Sequence, residues 1–511
     1  NQNMNCLFQG TRMSTILLHL SILTLLTTSL GAYADDDSCK KALSKSAFQE
    51  EGAISVEWVD KMKSEKPSPL QNRVNEAVQN AGIAKVAMNR EVMKNHNTSY
   101  TNEVPLGCGT DQKQSGRCWI FAGNNMLRAE LLTSKKTDKT FSLSHNYLHF
   151  FNMLEKSNRW LWNVEEAQLQ NLTRREELKF IESDPLGDGG WYVWYQFLVA
   201  KYGMVPQQYM PDTESSISTA TLNQTLKTIL SDAGVKIKIL THLWNSKATG
   251  AYSTKQKELL SDIRQEAMEK IFRILETNLG TPPSSFEFTN LKTKKTETYT
   301  PHTFRDKFIK YKADDYVTVA NNARRPRNQY YEFIRSTIGV PELNGKDYPI
   351  RVLNISFERM DELIRSSIDA GRPMWFATDV GKFLEATPES LSKPSTGIWH
   401  PDIYKYSEVY NMPDSQFQLD ALTQTEFRLS IPNHAMVIVA YDKPDVNGLT
   451  VKYKIENSWG DKWADKGYGH MYREWAELYL AEVVVHKSML TPDELELIKA
   501  TPKEILEDDF Y

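Results

Sequence analysis

The sequence predicts an α+β protein with a helical lobe, a large mainly helical insertion and a β-rich lobe. Three observations predict this class. After Cys118 the apolar residues Ala122, Met126, Leu127 and Leu131 fall at helical spacing. Residues 255–279 place Leu259, Leu260, Ile263, Met268, Ile271, Phe272 and Leu275 on one helical face, and Gly280 follows as a stop. Pro373-Met-Trp-Phe-Ala377 and residues 435–441 are continuous apolar runs of strand length. With 511 residues, 40% hydrophobic and 25% charged, the chain can bury a large core as one large domain or two to three ordinary ones. A formal charge of −4 and the absence of a basic run give no basis for nucleic-acid binding.

Residues 1–34 are set aside as upstream sequence and leader. Arg12 precedes the apolar run 16–30, and Ala32-Tyr-Ala34 supplies small residues before Asp35. This pattern predicts a secretory signal peptide cut near Ala34, and a mature chain that is secreted or periplasmic with no membrane segment. A retained anchor is the alternative; the run is short for a span. Of four cysteines, Cys6 leaves with the leader. Cys39 and Cys108 either pair in an oxidising compartment or stay as thiols, and Cys118 stays free.

The mature chain divides into residues 35–214, the N-terminal segment and helical lobe, and 215–345, the insertion. Residues 346–490 form the β-rich lobe and 491–511 a C-terminal arm. Residues 72–94 are helix-like. Ser142-Leu-Ser144 caps a second helix bearing His145 and His149. That spacing suits either a metal pair or an aromatic packing face with Tyr147, Phe150 and Phe151. No third ligand is evident, so no metal is assigned. Gly189-Gly190 either lets a backbone approach a peptide closely or makes a tight turn before the next helix. Sequons begin at Asn97, Asn171, Asn223 and Asn354. Repeats, CxxC pairs, GxGxxG and P-loop motifs are absent from the sequence.

Cys118 is the candidate nucleophile. A helix N-terminus favours a thiolate. A free cysteine titrates near ~8.5, and lowering that by two units takes about 2.7 kcal/mol, so a cationic partner is expected. His434 heads the strand-like run 435–441, and Asn457 ends a second strand after the turn at Asn447-Gly448. Cysteine, histidine and asparagine then supply nucleophile, acid/base and the group that orients the imidazole. Gln112, six residues before Cys118, can donate to an oxyanion beside the Cys118 N–H.

In order, Gln112, Cys118-Trp119, Asn433-His434-Ala435 and Glu456-Asn-Ser-Trp-Gly460 resemble papain-like cysteine peptidases. Longer words narrow this. Asn89-Arg-Glu-Val-Met93, Ser115-Gly-Arg-Cys-Trp119, Leu279-Gly-Thr-Pro-Pro283 and Asp379-Val-Gly-Lys-Phe383 are similar to the bleomycin hydrolase/aminopeptidase C subfamily, from about residue 72 to about 487. The resemblance implies a papain-like two-lobed fold, with a β-barrel-like second lobe, and peptide hydrolysis through a thioester acyl-enzyme. It implies no cofactor, and a homo-hexamer to which the insertion contributes contacts; a lid is the alternative for that insertion. Gly189, Gly190 and Asn433 take substrate-binding places, Trp119 and Trp459 structural ones, and Trp459 shields the His434–Asn457 bond. In aminopeptidase relatives the terminal carboxylate of a C-terminal arm holds the substrate amine, which would fall to Tyr511. The ending Glu507-Asp-Asp-Phe-Tyr511 departs from theirs. It either attracts an amine or is a solvated tail, and an endopeptidase with an open cleft stays in view. So does a non-catalytic peptide-binding protein on the same scaffold.

Overall fold

The computed structural model describes residues 54–170, 172–181, 186–245, 252–334, 337–340, 348–385, 395–442 and 448–510. The expected leader, Cys39, Asn171 and Tyr511 lie outside the described residues. The chain forms two compact units, residues 1–81 and 82–511. The first carries α1 (Val56–Ser64) and α2 (Pro69–Ala81), and the Ser55 side chain caps α1 by accepting from the Trp58 N–H. The helix expected over 72–94 is interrupted. Gly82 sits at φ +82°, and short helices at Ile83–Ala87 and Arg90–Asn95 follow it. A left-handed glycine ends a helix without steric cost.

The helical part of the second unit is built on α3 (Cys118–Thr133), α4 (His145–Leu169), α5 (Tyr192–Tyr202), α6 (Ala220–Asn245) and α7 (Thr254–Leu279). Ser144 caps α4 as expected, accepting from the Tyr147 N–H. Ser253 and Gln256 form a capping box on α7, and Gly280 ends it at φ +89°. Helices α6 and α7 pack on α4 and on each other. Leu222, Leu226, Leu230 and Ile237 of α6 meet Leu260, Ile271 and Leu275 of α7 in this core, all buried. Each such side chain contributes about 1.5–3 kcal/mol on burial. The two helices of the insertion thus hold together by their apolar stripes.

The main sheet has eleven strands. In chain order they are β1 (Asn102–Glu103), β4 (Tyr316–Ala320), β5 (Gln329–Phe333), β6 (Arg351–Asn354), β7 (Met374–Thr378), β8 (Ile398–Trp399), β9 (His434–Tyr441), β10 (Lys452–Glu456), β11 (Tyr468–Tyr472), β12 (Leu480–His486) and β13 (Lys503–Ile505). Their order across the sheet is β13-β5-β6-β4-β12-β7-β9-β10-β11-β8, with β1 on β9. A separate hairpin pairs β2 (Phe286–Asn290) with β3 (Lys295–Tyr299). Every residue of β9 and β10 is buried; β9 is nearly all apolar, whereas β10 alternates Tyr453 and Ile455 with Lys452, Lys454 and Glu456, which pair with Asp442, Glu103 and Arg128. Strands β4 and β5 come from the 215–345 stretch and join the same sheet as His434. The insertion is mainly helical, yet its last part is sheet.

The C-terminal arm is docked. Strand β13 pairs in parallel with β5, and Phe510 is fully buried with Tyr331, Phe333, Ile350 and Val352. Asn322 and Arg325 donate to the carbonyls of Phe510 and Asp509. The backbone of residues 503–505 and the Phe510 ring are thereby held, while the side chains of Lys503, Glu504, Leu506 and Asp509 stay exposed. Two sequons are also accounted for. Asn354 is 0% exposed, and its amide donates to the carbonyls of Asn322, Arg325 and Pro326. Asn223 donates to Asp188.

Helix α3 packs against β9 and β7 and is buried on nearly every side. One ion pair fixes it lengthwise. The Arg128 guanidinium on α3 donates to the Glu456 carboxylate at the end of β10 and to the Cys108 carbonyl at 2.8 Å, and both side chains are at most 3% exposed. Burial raises the Glu456 pKa, and Arg128 opposes the rise. Removing one partner strands a charge without water. Glu456→Ala is expected to lower unfolding free energy by about 3–5 kcal/mol, read as a lower urea midpoint at unchanged m-value; a shift under ~1 kcal/mol contradicts the role given to this pair.

Candidate active site

The nucleophile turn is made by residues 110–117. The Gln112 N–H donates to the Ser458 carbonyl at 2.8 Å, and the Gly460 N–H donates to the Thr110 carbonyl at 2.8 Å. This short pairing lays the turn beside Asn457. The Gln112 side chain is then held at both ends: its oxygen accepts from Ser458 Oγ at 2.6 Å and its amide donates to the Ser115 carbonyl at 2.5 Å. Arg117 occupies the N-cap position of α3 without capping it by a side-chain bond. It is fully buried, and its guanidinium donates to Asp212 at 2.7 Å. The first N–H groups of α3 are left facing the Cys118 sulfur.

His434 stands at the head of β9, and its Nε2 lies 2.8 Å from Asn457 Oδ1. The amide oxygen accepts, so Nε2 carries the hydrogen and Nδ1 is left as an acceptor. Asn457 Oδ1 also accepts from the Ser458 N–H at 2.7 Å. The Trp459 ring lies over the imidazole with centroids 5.1 Å apart. The N–H of Ala435, next to His434, faces the Cys118 sulfur. The structure thus brings together Cys118, His434, Asn457 and Gln112, with Trp459 covering the histidine. Trp119 packs beneath, its Nε1 donating to the Asp188 carbonyl at 2.8 Å.

The electrostatics differ from the sequence expectation of a lowered thiol pKa. Burial pushes the Cys118 thiol up, against the N–H groups of Ala435, Trp119 and Cys118, and Asp188 adds to the rise. Burial pushes His434 down to about 4, against the pull of Asn457. Desolvation, which spacing in a sequence cannot measure, outweighs the helix end. Either charge alone is unfavourable here. The N–H groups at the sulfur and Asn457 at the ring are what oppose these two shifts.

Other predicted residues are placed as follows. Gly189 is open on its Cβ side, whereas a Cβ on Gly190 would stand 2.5 Å from the Trp119 ring. The N–H and C=O of Gly190 take no partner among the described residues. Asn433 is engaged at both ends of its amide, donating to Asp379 at 2.7 Å and accepting from the Val380 N–H at 3.1 Å. Its side chain secures the 379–380 turn rather than standing free for a substrate. His145 stacks on Phe121 at 3.6 Å, and among the described residues no group of three metal-ligating side chains forms. Sequence reasoning missed Asp188, Arg117–Asp212, Arg128–Glu456 and Ser458. Glu456 and Ser458 stand inside Glu456-Asn-Ser-Trp-Gly460 and Asp188 directly before the glycine pair, but their partners lie far away in the chain.

The sequence profile of the Peptidase C1-like family matches residues 53–509. Aminopeptidase C of Lactobacillus delbrueckii subsp. lactis is 32% identical over 427 residues, 82% of this chain and 88% of that protein. Aminopeptidase C of Streptococcus thermophilus is 30% identical over 462 residues, 88% and 96% of the two chains. The crystal structure of PepW from Lactobacillus rhamnosis HN001 matches with a TM-score of 0.77 at 30% identity, covering 89% of this chain and 98% of that one. The protein is a cysteine-type peptidase. It belongs to the Peptidase C1-like family, and the resemblance to aminopeptidase C drawn from its motifs holds over most of the chain.

The two glycines separate by experiment. Gly189→Ala is expected to leave stability within about 1 kcal/mol, while Gly190→Ala pushes the Trp119 ring and costs about 1–3 kcal/mol. Equal urea midpoints for the two variants would contradict the close approach.

Proposed function

We propose that the protein is an exported cysteine aminopeptidase acting on peptides, with Cys118 as nucleophile, His434 as acid and base, Asn457 orienting the ring and Gln112 at the oxyanion. The observation that carries this is the His434–Asn457 bond of 2.8 Å set beside the start of the Cys118 helix. Sγ attacks the carbonyl carbon as its proton passes to Nδ1 of His434. The carbonyl oxygen becomes an oxyanion at the Cys118 N–H and the Gln112 amide. The leaving amine takes the proton from His434 and departs, leaving a thioester. Water attacks the thioester, gives its proton to His434, and frees the acid and the thiol. Gly190, whose N–H and C=O take no partner among the described residues, lines the main chain of the peptide.

The aminopeptidase reading rests on the docked arm. Phe510 lies in an apolar cluster against which Trp191, the residue after Gly190, also packs. The arm therefore lies against the segment that follows Gly190. The leader pattern at 16–34 supports export. Val235, Ile239 and Leu243 form an exposed row along α6, which supports assembly through the insertion. An endopeptidase using the same site is the second reading.

One pair of peptides decides between them: the same sequence with a free and with an acetylated N-terminus, digested under reducing conditions and read by mass spectrometry. Stepwise loss from the free peptide alone is expected; internal cuts in both establish the endopeptidase. Cys118→Ala is expected to remove turnover by at least ~10⁴-fold with the fold intact, and retained hydrolysis would sink the mechanism. In His434→Ala the thiol keeps only its buried environment. It also loses the imidazole that accepts its proton, and alkylation of Cys118 by iodoacetamide slows at least ~10-fold relative to wild type. Equal alkylation rates would remove His434 from the proton path.

A further inference from the structure

Asp188 stands where the nucleophile turn meets the glycine pair. Its carboxylate accepts from the Gly116 N–H at 2.9 Å, from Asn223 Nδ2 at 2.8 Å and from the Thr219 hydroxyl. Its own carbonyl accepts from Trp119 Nε1 at 2.8 Å. Gly116 lies two residues before Cys118 and Trp119 one residue after it. One residue therefore grips both flanks of the nucleophile. A Cβ at Gly116 would stand 2.8 Å from Asp188 Cβ, so the turn approaches this closely only as glycine. On the other side Lys156 of α4 donates to the carbonyls of Gly187 and Gly189.

We infer that Asp188 is a positioning residue, setting the Cys118 sulfur and the Gly190 main chain in one register. A peptide paired to Gly190 then presents its carbonyl at the sulfur. This inference rests on the reading of Cys118 as nucleophile. Two physical points support it. Three donors from two separate segments, the nucleophile turn and the start of α6, converge on one small side chain, and a carboxylate offers enough lone pairs for all of them. The negative charge of Asp188 also works against a thiolate at Cys118. A group placed to ionise the thiol would have the opposite sign, so its contribution to the reaction is geometric.

The charged groups around it are Lys156 and His149 on α4, Arg117 with Asp212 on the turn side, and His434 across the sulfur. Burial pushes His149 down to about 3, with Asp188 opposing. Burial works to raise the Asp188 pKa, but His149, Thr219, Asn223 and the Gly116 N–H hold it below the usual range.

The test compares Asp188→Asn with the double variant Asp188→Asn/Asn223→Asp. The double variant exchanges carboxylate and carboxamide and preserves donor–acceptor matching. Each protein is measured for melting, for kcat and KM on a free-N-terminus peptide, and for the pH profile of Cys118 alkylation by iodoacetamide. Asp188→Asn is expected to fold and to lose about 10- to 100-fold in kcat/KM, divided between kcat and KM. Its alkylation profile moves to lower pH, because a negative charge has gone. Easier ionisation with slower turnover is a signature that a merely structural role does not produce. The double variant is expected to recover at least ~10-fold of the loss. The proposal is overturned if Asp188→Asn keeps kcat/KM within ~2-fold, if its alkylation profile does not move down, or if a folded double variant recovers nothing. Unfolding of both variants makes Asp188 a folding residue and equally overturns it. A wild-type protein that cleaves no peptide overturns the functional reading itself, before any variant is compared.

Discussion

A guanidinium and a carboxylate, both shut off from water, join the helix of the nucleophile to the strand that ends at Asn457. Neither Arg128 nor Glu456 is tolerable alone in that place, so each fixes the other. Arg128 lies ten residues along α3 from Cys118, and Glu456 is the neighbour of Asn457. A slide of the helix along the sheet would part the pair before it moved the sulfur far from the imidazole. Gly107 belongs to the same constraint: a Cβ there would stand 2.5 Å from the guanidinium carbon. The site inherits its register from charges that take no part in the chemistry.

Around that pin, local structure supplies the rest. The turn at 110–112 borrows hydrogen bonds from residues 458–460. The uncapped start of α3 leaves its N–H groups to the sulfur, and β9 delivers His434 from the sheet. Trp459 and Trp119 close the space above and below. The Trp459 ring lies 5.1 Å from the His434 ring, and the Trp119 ring backs the segment that carries Gly190.

Much of this was legible in the chain before any coordinates. Period and caps defined α4 and α7, including Ser144 and Gly280, because those signals are local. The order of Cys118, His434 and Asn457 was visible because each stands at the end of a recognisable helix or strand, and Gln112 through its spacing from Cys118. Strands β4 and β5 were not, since each is five residues long and the helical stretch before them set the expectation. Asp188 drew notice only through the glycines after it. Its partners lie 31, 35 and 72 residues away, a separation no pattern in a window can span. The thiol pKa went the other way from expectation because burial, a property of the packed whole, decided it.

The hydrogen bonds of Asn354 carry a consequence for how the chain can be made. Its amide nitrogen gives its hydrogens to backbone carbonyls at 322, 325 and 326, inside a core position with no exposed surface. A sugar on that nitrogen would replace one of those hydrogens and has no room beside the strand. Oligosaccharide transfer acts on chains still crossing a membrane, ahead of folding, and Asn354-Ile-Ser356 is an acceptor by sequence. Native folding is therefore compatible with secretion machinery that leaves asparagine bare, and a glycosylating host would trap the molecules it modifies at this position outside the native state.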